Sequence, residues 1–299
     1  MDIITVPAKN IIFKVKKPNS WFGAEYNMNI YRGCTHGCIY CDSRSDCYRN
    51  SEFDMIKVKE DALLKIRDDL KRKVLRGVVA TGAMSDPYNP LEKELKLTRN
   101  ALELLNAFEF GVAIDTKSAL VARDKDILCD IKEHSPVIVK MTITTADANM
   151  CSLIEPNVAG SEERFAALKE LSDSGIFCGV LLMPLLPFIN DTEENVLRIV
   201  QSAGKAGAKF VYPFMGMTLR SGNREYYYEK LDEFFPGVKN KYMKQYVTRY
   251  QCTSLNAKRL WGVFKEACRQ NGLLSDMQSI IHNYKSPYRE RQLQWHFYQ

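Results

Sequence analysis

The sequence predicts an α/β fold, a partial (β/α)6 barrel of the TIM type with a mainly helical C-terminal extension. Three observations predict it. Short apolar runs alternate with segments of helical periodicity six times between residues 26 and 215. Repeated βα order implies a parallel sheet, which connections of one hand curl around. About 190 residues fall short of the roughly 250 of a closed eight-unit barrel, so six units and an open barrel are expected. Polar residues also recur at alternate strand positions, at Asn27 and Asn29, at Asp115 and Lys117, and at Lys140, Thr142 and Thr144. Such groups are costly in a dry core, which places them on a lumen around a polar ligand. Solvent-facing edge strands are the ordinary alternative.

The elements follow in order. A strand at 26–31 feeds a cysteine-rich loop, and a helix at 58–75 sets Leu63, Ile66, Leu70 and Val74 on one face. A strand at 78–81 ends in Gly82 and precedes a helix at 97–108. Next come strand 112–116, helix 124–132, strand 137–144 and helix 162–174, with Gly175 closing the last. Strand 177–183, helix 193–205 behind an Asp191-x-x-Glu194 cap, and strand 210–214 complete the series. Residues 1–25 form an N-terminal segment, 26–219 the partial barrel and 220–299 the extension.

With 299 residues and 45% hydrophobic side chains, the chain can bury one large core or two modest ones. Residues 1–18 hold no apolar run of signal-peptide length, and the greasiest stretch, 179–188, is broken by Pro184 and Pro187. Six of the nine cysteines, Cys47, Cys129, Cys151, Cys178, Cys252 and Cys268, are scattered without a disulfide framework. A reducing, cytoplasmic location is expected, with no membrane segment. The formal charge is +6, and residues 220–299 alone carry 14 Lys plus Arg against 7 Asp plus Glu.

The densest chemical signal is Tyr31-Arg-Gly-Cys34-Thr-His-Gly-Cys38-Ile-Tyr40-Cys41. Gly33 and Gly37 would let this loop wrap tightly enough to aim three sulfurs at one point. A structural zinc site closes with four protein ligands, whereas this loop offers three thiolates; Cys47 or His36 could supply a fourth. Three thiolates could instead hold a 4Fe-4S cluster and leave one iron open.

This Cys-x3-Cys-x2-Cys pattern resembles the radical S-adenosylmethionine superfamily. The resemblance implies that Cys34, Cys38 and Cys41 hold a 4Fe-4S cluster whose open iron chelates S-adenosyl-L-methionine, with Tyr40 packing near the adenine. It also implies reductive cleavage to a 5'-deoxyadenosyl radical, a reducing electron donor such as flavodoxin or ferredoxin, and the open barrel derived above.

After the second strand, Thr81-Gly-Ala-Met-Ser85-Asp86-Pro-Tyr-Asn-Pro lies where barrel sites are built. Gly82 permits close backbone approach, and Ser85 and Asp86 offer acceptors for an ammonium; a simple turn explains the composition equally well. Together with Thr116-Lys117-Ser118, this stretch and the cysteine loop resemble the spore photoproduct lyase group. The resemblance covers about residues 20–215. Carried over by position, Ser85 and Asp86 contact the methionine portion of the cofactor and Lys117 pairs with its carboxylate. Thr142 or Thr144 contacts the ribose or carboxylate. The lyases carry a hydrogen-donating cysteine just before the Ser-Asp pair, where this chain has Ala83 and Met84. The chain is therefore not expected to be a true spore photoproduct lyase, although Cys47 could supply a thiol from another direction.

The extension carries 15 aromatics, among them Tyr226, Tyr227, Tyr228, Trp261, Tyr284, Tyr288, Trp295, Phe297 and Tyr298. With the basic surplus they allow a nucleic-acid substrate. The alternative is an amphipathic helix through Leu260, Val263, Phe264 and Ala267 that packs on the barrel and leaves Lys258 and Arg259 in solvent. Two functional classes follow, a radical enzyme abstracting hydrogen from an unidentified substrate and a non-enzymatic zinc- or Fe-S-stabilised nucleic-acid-binding or interaction protein.

Overall fold

A computed structural model describes residues 3–18, 20–73 and 75–296. Val74, Phe297 and Tyr298 lie outside the described residues, as does the side chain of Trp295. Six parallel strands run in sequence order, Tyr26–Met28, Val78–Thr81, Gly111–Thr116, Val137–Thr142, Cys178–Leu182 and Phe210–Pro213. An antiparallel strand, Ile12–Lys14, joins the sheet at the Tyr26–Met28 edge. The sheet thus ends in two different edge strands and forms an open, partial barrel. β-branched runs such as Val137–Thr142 are buried along their whole length because helices cover one face and the lumen closes the other.

The two faces hold different chemistry. Val79, Val112, Ile114, Val139, Met141, Val180 and Val211 join the helices in the largest core. On the inner face Ala80, Ala113, Ile138, Leu181 and Phe210 pack with Phe22, Ile280 and Tyr284. The C-terminal helix Met277–His296 therefore plugs the barrel floor, with Tyr284 Oη donating to Phe22 O at 2.5 Å. Above this floor Asp115 and Lys140, opposite each other in register, form an ion pair at 2.6 Å. The polar alternation does face the lumen, but these two groups neutralise each other there.

Several expected boundaries move. Residues 26–31 do not form one strand: Tyr26–Met28 stays in the main sheet, while Tyr31–Arg32 pairs with Lys57–Lys59 in a small three-stranded sheet. Residues 58 and 59, expected to open a helix, are spent on that pairing, and the helix runs over Ala62–Lys71. Helix Glu193–Lys205 is capped by Thr192, whose hydroxyl accepts from Asn195 N at 3.2 Å. Asp191 is not the cap because its carboxylate accepts from Phe188 N and the Ser254 hydroxyl.

The extension contains the helices Asn223–Phe234, Val238–Tyr246 and Ala257–Gln270, and its strand Gln251–Thr253 pairs antiparallel with Gly216–Thr218 at the end of the barrel segment. Leu260, Phe264 and Ala267 are buried in the main core and Lys258 and Arg259 are exposed, as an amphipathic packing helix requires. Tyr227, Tyr242, Tyr246 and Tyr284 are buried as well, so these rings serve packing and cannot stack on a nucleic acid. Among the described residues no helix is long and apolar enough to cross a membrane.

Candidate active site

The cysteine loop lies against the C-terminal ends of the strands and is held from several directions. Gly33 adopts φ +84°, and a Cβ there would meet Met55 O at 2.1 Å, so only glycine fits. Cys34 N donates to Phe53 O at 2.8 Å, Ile39 N to Ile154 O at 3.0 Å and Asn157 N to His36 O at 3.1 Å. The Ser85 hydroxyl donates to Gly33 O, tying the loop to the turn after the second strand. Cys38, Ile39 and Tyr40 belong to a second core built largely by the extension, with Met217, Leu219, Tyr227, Tyr242 and Tyr246.

Cys34 and Cys38 are buried and Cys41 is partly open. Cys34 and Cys41 act electrostatically on Cys38, and Cys38 and Cys41 act on Lys117, so the loop and the end of the third parallel strand lie within charge range of one another. Burial pushes the Cys38 thiol well above its ordinary value, and the Lys117 charge works against that rise. Burial alone would lower the Lys117 ammonium, but Cys38, Glu155, Cys41 and Asp86 hold it above its ordinary value. Lys117 Nζ lies 5.8 Å from the centre of the Tyr40 ring and makes no hydrogen bond or ion pair among the described residues.

Asp86 and Ser85 are occupied by the protein itself. The Asp86 carboxylate accepts from Tyr88 N at 2.9 Å, Thr116 Oγ1 at 2.7 Å and Lys117 N at 2.7 Å, and lies 3.6 Å from His36 Nδ1. It fixes the backbone that carries Lys117. Gly82 likewise serves packing, since a Cβ there would meet Asp115 O at 1.9 Å. Thr144 Oγ1 donates to Glu155 at 3.2 Å, whereas the Thr142 hydroxyl makes no hydrogen bond among the described residues.

Sequence reasoning missed the group that holds Tyr40. Its hydroxyl donates to Glu155, which Arg164 Nη2 contacts at 2.6 Å; both Glu155 and Arg164 side chains are fully buried. Arg164 also donates to Thr142 O at 2.7 Å and lies 3.0 Å from Cys151 Sγ. Neither residue sits in a recognisable motif, and a charged residue inside an amphipathic helix reads as surface. Cys47 is exposed, with Arg220 Nη1 at 3.3 Å from its sulfur.

Among the described residues no three His, Cys, Asp or Glu side chains are gathered closely enough for a single metal ion. A four-iron cluster bonds each thiolate to a different iron, so its ligands are spread around it. Three thiols on one loop, two of them within electrostatic reach of an unpaired ammonium, fit such a group.

The family model described as the Radical SAM superfamily matches residues 28–200. An uncharacterized protein of Methanocaldococcus jannaschii is 35% identical over 64% of this chain and 71% of its own length. An uncharacterized protein of Mycobacterium bovis is 28% identical over 74% of this chain and 67% of its own. Among solved structures, spore photoproduct lyase complexed with dinucleoside spore photoproduct has a TM-score of 0.65 at 14% identity, covering 84% of this chain and 76% of that one. The radical S-adenosylmethionine methyltransferase TsrM of Kitasatospora setae has a TM-score of 0.53 at 11% identity, covering 81% and 51%. Both structural likenesses are of fold.

Proposed function

The chain belongs to the radical SAM superfamily, and on that premise we propose that it is an enzyme that abstracts hydrogen from its substrate with the help of a 4Fe-4S cluster and S-adenosyl-L-methionine. The observation that carries this reading is the Lys117 ammonium, which makes no hydrogen bond or ion pair among the described residues and lies within electrostatic reach of Cys38 and Cys41. When bound, the cluster and cofactor would supply a 5'-deoxyadenosyl radical by reductive cleavage.

Cys34, Cys38 and Cys41 would hold the cluster, and the Lys117 ammonium would take the carboxylate of the cofactor. A charge pair away from bulk water is strong, and Asp86 keeps Lys117 in place through its backbone N–H. Tyr40 offers a ring face for the adenine, and its hydroxyl bond to Glu155 fixes the direction in which the side chain points. Thr142 is better placed than Thr144 for the ribose, because the Thr144 hydroxyl is already engaged by Glu155. Asp86 orients Lys117, Ser85 ties the turn to the cysteine loop, and Gly82 lets that turn lie close against Asp115. The reductant would be a small redox protein such as a flavodoxin or ferredoxin.

The test is anaerobic incubation of the reconstituted protein with strong reductant and S-adenosyl-L-methionine. Slow release of 5'-deoxyadenosine and methionine is expected even without substrate. No release from protein carrying four irons would sink the proposal. Rapid repair of dinucleotide spore photoproduct is not expected, because Ala83 and Met84 cannot donate a hydrogen atom as a thiol can. Rapid repair that vanished in Cys47→Ala would assign that role to Cys47.

A further inference from the structure

Beside the cysteine loop lies a small pocket with no part in the proposed function. It measures about 170 Å³ and is lined by Asn29, Arg32, Tyr48, Asn50, Lys59 and Met84, among others. The pairing of Tyr31–Arg32 with Lys57–Lys59 creates it by bringing the Arg32 and Lys59 side chains together. Lys59 Nζ makes no hydrogen bond or ion pair among the described residues, and the Arg32 guanidinium donates only to the carbonyl of Arg49. Burial and the neighbouring Arg32 charge both push the Lys59 ammonium below its ordinary value.

The acids flanking the lining residues Ser43 and Phe53 are engaged elsewhere. Glu52 pairs with Lys57 and Asp54 with Arg44, while Asp42 takes the Tyr48 hydroxyl at 3.2 Å and lies 3.5 Å from Arg220 Nε. Lys59 is thus held partly desolvated beside the exposed Arg32 guanidinium with no counter-charge, which disfavours its ammonium until an anion enters. Asn29 and Asn50 add amide groups that can donate to an oxyanion. The volume lies below the roughly 300 Å³ of pockets that enclose a drug-sized ligand, so it suits one tetrahedral group and not a whole nucleoside.

Its position gives the pocket a use. It touches Gly33 of the cysteine loop and Met84, which immediately precedes Ser85. A group anchored there leaves the remainder of its molecule beside the reaction chamber. We propose that this pocket binds a phosphate group of the substrate, with Arg32 contacting two of its oxygens and Lys59 supplying a point charge. The inference rests on the proposed function only for what the anchored molecule undergoes; phosphate binding is independent of it.

The test is calorimetric titration of the cluster-loaded protein with inorganic phosphate, without reductant or S-adenosyl-L-methionine and at low, constant ionic strength. Saturable binding is expected, weakened at least tenfold in Lys59→Met and separately in Arg32→Gln, with iron content and melting temperature unchanged. Acetate at the same concentrations should bind at least tenfold more weakly. Wild-type phosphate affinity in both variants would overturn the assignment of the site, and equal affinity for acetate would overturn phosphate as its ligand. Since no turnover is read, a protein that binds phosphate but releases no 5'-deoxyadenosine would retain this inference and lose the proposed function.

Discussion

The strand Val137–Thr142 and the loop around Cys34–Cys41 border the same chamber, yet they are held in place by different means. The strand is paired in register along both edges, to Gly111–Thr116 and Cys178–Leu182, and its outward residues enter an aliphatic core. The loop has no such ladder; it is held by single bonds to Phe53, Ile154 and Ser85 and by a core rich in tyrosine. Regular pairing distributes support over many equivalent contacts, so one side chain lost from the sheet leaves the register intact. In the loop each anchor is singular, and the extension acts as the structural backing of the cysteine loop.

The largest effects are expected at the thiols. Replacing Cys34, Cys38 or Cys41 with Ala should abolish iron and sulfide binding after anaerobic reconstitution, while Cys47→Ala should retain about four irons. Loss of iron from Cys47→Ala would mean four protein ligands and no open iron.

Next in size is the buried pair behind Tyr40. Arg164→Met leaves the Glu155 carboxylate buried without its partner and should lower unfolding free energy by about 3 to 5 kcal/mol in urea. Iron retention by the folded variant should fall too. Leu168→Ala, in the aliphatic core, should lower stability by about 2 to 5 kcal/mol and leave iron per folded chain unchanged. Equal iron loss in both would erase the distinction between the regions. Burial alone would raise the Glu155 carboxyl, but Arg164 and Lys117 outweigh it and hold the group below its ordinary 4.5. The stabilisation is therefore complete above that pH and is lost as pH falls through the folded value. The gap between wild type and Arg164→Met should accordingly narrow in acid.

Lys117→Ala tests the chamber without touching either core. Cofactor affinity should weaken by about 2 to 5 kcal/mol with the cluster intact, measured by equilibrium binding. Unchanged affinity would remove Lys117 from the site. The smallest effect belongs to the tyrosine shell: Tyr227→Phe loses the hydroxyl bond to Tyr242 at 3.0 Å and should lower stability by about 1 kcal/mol. An effect several times larger would show that the shell depends on its hydroxyls more than on ring packing.

The sequence by itself determined the order of strands and helices and the three thiols, because both signals are local. Val78–Thr81 and Glu193–Lys205 were legible to the residue, since apolar period reports which face of a segment meets its neighbours. The cysteine spacing works over eight residues in the same way. Tertiary structure decided what no period encodes. Tyr40 and Glu155 are 115 positions apart, and only the curl of the sheet brings them together. The break between Tyr26–Met28 and Tyr31–Arg32 depends on the partner Lys57–Lys59, so an apolar run that looks continuous divides between two sheets and assembles the Arg32–Lys59 pocket. The tyrosines of the extension looked available for stacking, because composition records how many rings a segment carries. Which of them are buried is decided by the surfaces that fold over them.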